Sequence, residues 1–61
     1  MKVCEAIREL EHNGWFLARI RGSHRQFKHP VVSGLVTLSG KRSQDIPVGT
    51  LRRILKQAHF G

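Results

Sequence analysis

The stretch Phe16-Leu17-Ala18-Arg19-Ile20-Arg21-Gly22-Ser23-His24-Arg25-Gln26-Phe27-Lys28 decides the fold. Its first half is aromatic and branched, as a strand should be, and Gly22-Ser23 matches the two-residue turns that reverse a hairpin. With those two residues as the loop, Arg21 faces His24, Arg19 faces Gln26, Ala18 faces Phe27 and Leu17 faces Lys28. Side chains alternate across a strand, so Phe16, Ala18, Ile20 and Phe27 are expected on the core side. Arg19, Arg21, His24, Gln26 and Lys28 then form a basic strip on the other side, with Trp15 and Leu17 at its far end.

Upstream, Val3, Ala6, Ile7 and Leu10 recur at the spacing of one helix face over Lys2 to Asn13, and Glu5, Arg8, Glu9 and Glu11 cover the opposite side. Asn13-Gly14 is a helix stop, because both residues tolerate the left-handed conformation. Downstream, Pro30 closes the second strand, Ser33-Gly34 makes another turn, and Leu35 to Ser39 reads as a third strand with Val36 and Leu38 facing one way. Gly40 to Gln44 is a polar loop bearing Lys41 and Arg42. Pro47 fits the first turn of a second helix whose buried stripe is Leu51, Ile54, Leu55 and Ala58. The class is α+β: helix, three antiparallel strands, helix, with both helices on the apolar sheet face and the other face accessible.

Sixty-one residues allow one domain, spanning 1–61, and leave no room for a deep substrate pocket. Eleven Lys and Arg stand against four Asp and Glu, a net charge of +7, which favours nucleic acid or an acidic protein as partner. The single cysteine, Cys4, cannot make an internal disulfide, and it lies on the first helix as a small side chain to be buried. A cytoplasmic location is expected, since no apolar run is long enough to span a bilayer and no signal-peptide pattern opens the chain. One cysteine and four scattered histidines lack metal-ligand spacing, so neither a metal nor another cofactor is expected.

Among the histidines, His24 stands out because it adjoins the turn within the basic strip. Imidazole is the side chain whose ordinary pKa lies nearest neutrality, and the neighbouring cations suit phosphates. Read from the residues alone, His24 serves equally as a proton-transfer group or as a phosphate donor. His29 falls on the core side near the strand end, where a structural role fits better. Arg19, Arg21 and Lys28 are candidate phosphate contacts, extended by Lys41 and Arg42, with Gly22 and Ser23 offering close approach at the turn.

Asn13-Gly14-Trp15, Gly22-Ser23-His24 with Phe27 and His29-Pro30, Val36-Thr37, Asp45-Ile46-Pro47, Gly49-Thr50-Leu51 and Ile54-Leu55-Lys56-Gln57-Ala58 together resemble the HicA family of small toxins. The resemblance runs from about Val3 to Ala58 in the same order. It implies a double-stranded-RNA-binding-domain-like α-β-β-β-α fold and an endoribonuclease of a type II toxin-antitoxin system that cuts mRNA without a metal. It also implies a HicB-type antitoxin as inhibitor and His24 as the functional histidine, which the chemistry of RNA cleavage makes the catalytic general base. The free toxin is expected as a monomer, with a larger assembly open to it in complex with the antitoxin. Members place a glycine after the Gln-Ala pair, whereas this chain has His59 before Phe60-Gly61. Two other readings fit the same pattern: a non-catalytic double-stranded RNA-binding module, and a degenerate toxin that only binds its antitoxin.

Overall fold

Val3, Ala6, Ile7 and Leu10 form the buried stripe of helix α1 (Val3–His12). Strands β1 (Phe16–Arg21), β2 (His24–Lys28) and β3 (Val36–Ser39) follow, and helix α2 (Val48–Ala58) ends the order. This computed structural model describes residues 1–58, and the His59-Phe60-Gly61 tail lies outside the described residues. The sheet is antiparallel with strand order β1-β2-β3. The expected α-β-β-β-α fold is therefore the one observed. No helix among the described residues is long and apolar enough to cross a membrane.

Both ends of α1 are tied to the rest of the chain. At its start, the Val3 and Cys4 N–H groups donate to the carbonyls of Gln44 (2.9 Å) and Arg42 (3.0 Å), and Lys2 N–H donates to Glu5 Oε1 at 2.7 Å. A loop thus satisfies N–H groups that a helix cannot pair internally. At its end, Gly14 N–H donates to Glu11 (3.1 Å) and Trp15 N–H to Leu10 (2.9 Å), with Gly14 at φ +93°. This pair of bonds is the Schellman closure, which brings the residue after the glycine onto the last turn's apolar side chain.

That closure overturns one expectation. Trp15 does not sit on the open strip; it is 3% exposed, in the core with Leu10. A second correction concerns β1. Arg21↔His24 and Arg19↔Gln26 pair as the two-residue turn requires, but the register shifts between Leu17 and Arg19, so that Leu17 pairs with Phe27 and Phe16 with Lys28. An extra residue in one strand reverses which face every side chain beyond it occupies. Leu17 therefore joins Phe27's side and Phe16 joins the open face.

The expected burial of Phe16, Ala18 and Ile20 also fails: all six residues of β1 are exposed. The two short helices cover β2 and β3 and leave the β1 edge bare, as expected where a small chain has little surface to bury. Val3, Leu10, Phe27, Val36 and Leu38 are the largest fully buried side chains, joined in one cluster by Ile46, Ile54 and Ala58. On α2, Ile54 and Ala58 are buried while Leu51 and Leu55 are half-buried. Pro47 stands just before the helix, its carbonyl accepting the Leu51 N–H at 2.9 Å. Cys4 is half-buried.

Candidate nucleic-acid interface

The register lays the open face out in rows. His24, the first residue of the central strand, lies between Arg21 on β1 and Ser39 on β3. Gln26 lies between Arg19 and Thr37, and Lys28 is paired with Phe16. Strands are spaced about 4.8 Å apart, so Arg21 and Ser39 are the immediate cross-strand neighbours of His24, whereas Lys28, four residues along, is about 13 Å away. His24 is exposed, and Gly22 at φ +59° forms the turn that starts its strand.

The charge on this face has one sign. From His12 to Gln44 the sequence contains no Asp or Glu, and α2 contains none. Glu5, Glu9 and Glu11 all lie on α1, with Asp45 in the loop before α2. Arg19, Arg21 and Lys28 thus stand on the open sheet without a carboxylate among them, a charge pattern suited to a polyanion. Lys41 and Arg42 are exposed on the loop that follows Ser39. Their backbone is fixed: Lys41 N–H donates to Gln44 Oε1 at 2.6 Å, and the Arg42 carbonyl caps α1.

A groove of about 360 Å³ opens beside His24, between β3 and α2. Thr37, Ser39, Thr50, Arg53 and Gln57 give it a polar wall, and Leu35 and Ile54 supply the apolar part. Thr50, Arg53 and Gln57 fall at helical spacing along one flank of the buried Ile54 and Ala58 stripe. A neighbouring depression of about 290 Å³ shares Ser39 and Thr50, but Asp45 lines it and no Lys or Arg does.

Two other basic side chains are committed to the fold. Arg25 points to the helix-covered side and is half-buried, its Nη1 donating to the Gly40 carbonyl at 3.0 Å. His29 accepts the Val31 and Val32 N–H groups on Nδ1, each at 3.0 Å, and its Nε2 lies 3.0 Å from the Asn13 carbonyl. With two donors aimed at Nδ1 and a carbonyl facing Nε2, the ring is a structural brace, as its core-side position suggested. Its edge also packs on Trp15, ring centroids 5.3 Å apart.

Reasoning from sequence missed Thr37, Ser39, Thr50, Arg53, Gln57 and the exposed Phe16 as members of this surface. Strand alternation with Val36 and Leu38 was enough to put Thr37 and Ser39 there. The α2 residues are different, because periodicity gives a helix its apolar stripe without saying which flank leans toward the sheet.

The α-β-β-β-α order and the exposed Gly22-Ser23-His24 corner accord with the resemblance drawn from the residues, and a family model described as HicA toxin of bacterial toxin-antitoxin matches residues 3–60. The chain belongs to the HicA toxin family. Membership in HicA makes it a toxin of a toxin-antitoxin system and implies an antitoxin partner. A search of curated proteins finds no match.

Proposed function

We propose that this HicA-family chain is an endoribonuclease that cleaves mRNA without a metal, with His24 as general base, and that a HicB-type antitoxin inhibits it. The observation that carries the reading is the exposed His24, on the central strand at the turn end of a carboxylate-free, cationic sheet face. RNA brings its own nucleophile. In the proposed step the ribose 2′-oxygen forms a bond to the adjacent phosphorus, its proton passes to a ring nitrogen of His24, and the bond from phosphorus to the 5′-oxygen breaks. The departing 5′-oxygen takes a proton from solvent, and the other fragment ends in a 2′,3′-cyclic phosphate.

Charge accumulates on the phosphoryl oxygens as the phosphorane develops. Arg21, across the ladder from His24, is placed to oppose it, while Arg19, Lys28, Lys41 and Arg42 hold flanking phosphates. Gly22 and Ser23 let the RNA backbone come close at the turn. An acidic antitoxin would be drawn to the same face and would inhibit by covering it.

Purified protein incubated with a single-stranded RNA in chelator tests this. Wild type should yield cyclic-phosphate ends, and His24→Ala should yield none while melting at the same temperature and still binding antitoxin. Equal cleavage by the variant removes His24 from the chemistry. Wild type that binds the RNA and leaves it whole replaces the enzyme with a binding module.

A further inference from the structure

The strip read from sequence supplies cations beside His24, but its one carboxamide, Gln26, is half-buried on the flat of the sheet between Arg19 and Thr37. The groove between β3 and α2 sets an exposed carboxamide and a cation together in a concave site. At about 360 Å³ it lies at the lower end of small-ligand clefts (about 300–1,000 Å³), a size that suits one nucleotide and excludes a duplex. Its wall is chemically graded: Arg53 is its cation, Thr37, Ser39 and Thr50 offer hydroxyls that both donate and accept, and Gln57 presents a carboxamide. A carboxamide donates and accepts side by side, the pattern needed to pair with the edge of a base splayed out of a single strand. The adjoining depression is a poorer seat for a nucleotide, because its charged lining residue is Asp45.

We propose that this groove seats the nucleotide next to the scissile phosphate, with Arg53 holding a phosphate and Gln57 reading the base. The proposal rests on the endoribonuclease reading above and gives that enzyme its sequence preference. Thr50, Arg53 and Gln57 are one flank of a single helix, so their backbone positions are mutually fixed. Arg52 and Lys56 lie around the other side of α2 and have no place in the groove.

The test uses the whole chain and short single-stranded RNAs carrying 2′-O-methyl groups, which bind without being cut. Arg53→Ala should bind about tenfold more weakly at low salt and flatten the plot of log affinity against log salt by about 0.7, the share of one phosphate contact. Arg53→Lys should restore the slope, and Arg52→Ala should leave it unchanged. Gln57→Ala should equalise affinities for oligonucleotides that differ in one base and broaden the set of ends cut from natural RNA. Both residues are exposed, so the variants should melt like the parent. An unchanged slope in Arg53→Ala, or unchanged base ranking in Gln57→Ala, overturns the proposal. The binding arm is independent of cleavage. A wild type that binds through Arg53 and Gln57 yet cuts nothing supports the groove and sinks the enzyme, and cleavage indifferent to both residues does the reverse.

Discussion

His29 Nε2 lies 3.0 Å from the carbonyl oxygen of Asn13, joining the end of β2 to the C-terminal cap of α1. The same ring accepts two backbone N–H groups from Val31 and Val32, so one imidazole ties the helix cap, the sheet and the loop toward β3 together. His24, at the start of β2, has no such partner among the described residues and is exposed. Two imidazoles five residues apart are thus divided between holding the platform and standing on it.

Replacing the brace should therefore cost stability. His29→Ala removes three hydrogen bonds at about 1 kcal/mol each and the edge contact with Trp15, a loss of about 2–3 kcal/mol. In a domain this small each kcal/mol lowers the melting temperature by about 4–8 °C. Thermal unfolding should show a fall of at least about 8 °C, against a negligible shift for His24→Ala. Equal melting of the two variants would mean that the ring is not a brace.

Two glycines separate backbone strain from crowding. Gly22, at φ +59°, would have nothing within 4 Å of an added methyl group, so Gly22→Ala should cost about 1 kcal/mol, from conformation alone. Gly14, at φ +93°, would bring a Cβ to 2.8 Å from His29 Nε2, adding a collision with the brace itself. Gly14→Ala should cost at least about twice as much, and denaturant titration of the two variants compares them directly. The larger loss at Gly22 would contradict the cap geometry.

The shifted register of β1 gives Trp15 and Phe16 opposite fates. Trp15→Ala empties a core position and should cost about 3–5 kcal/mol, enough to leave much of the chain unfolded at 37 °C. Phe16, 49% exposed on the open face, should change stability by no more than about 0.5 kcal/mol when replaced by alanine. In the proposed RNA complex Phe16→Ala should nevertheless weaken binding to single strands, since an exposed aromatic beside Lys28 is a stacking surface. Circular dichroism melts and RNA titrations of the pair decide it; a stable Trp15→Ala protein would restore the regular ladder.

How far the fold could be read follows from which interactions are local. The α1 stripe, the stop at Asn13-Gly14, the Gly22-Ser23 turn and the Val36 and Leu38 alternation are set by spacing within a few residues, and each element stands where expected. The bulge at Ala18 is different, because whether an edge strand keeps regular pairing depends on what packs beyond it. Local pattern assigned Trp15 to the strand, whereas its position two residues after the helix cap made it the closing contact of α1. His24 and Arg21 were placed together by turn geometry alone. Arg53 was not, because its role depends on the angle at which α2 meets the sheet.

Arg21 and Arg25, both on the hairpin, make the sharpest contrast between a fold cation and a surface cation. Arg25 spans the sheet's covered side to the Gly40 carbonyl, and its half-buried stem packs there. Arg25→Ala should cost about 1–2 kcal/mol of stability through the lost bond and packing. Its RNA affinity at a temperature where the variant is folded should be nearly unchanged. Arg21 is exposed beside His24, so Arg21→Ala should leave the melting curve within about 0.5 kcal/mol of the parent and reduce the salt slope of RNA binding by about 0.7. Its cleavage rate should fall further than its affinity if the guanidinium opposes charge that grows only as the phosphorane forms. Equal losses in rate and affinity would make Arg21 a tether for the ground-state phosphate, and no loss in either would shift the cationic role to Arg53.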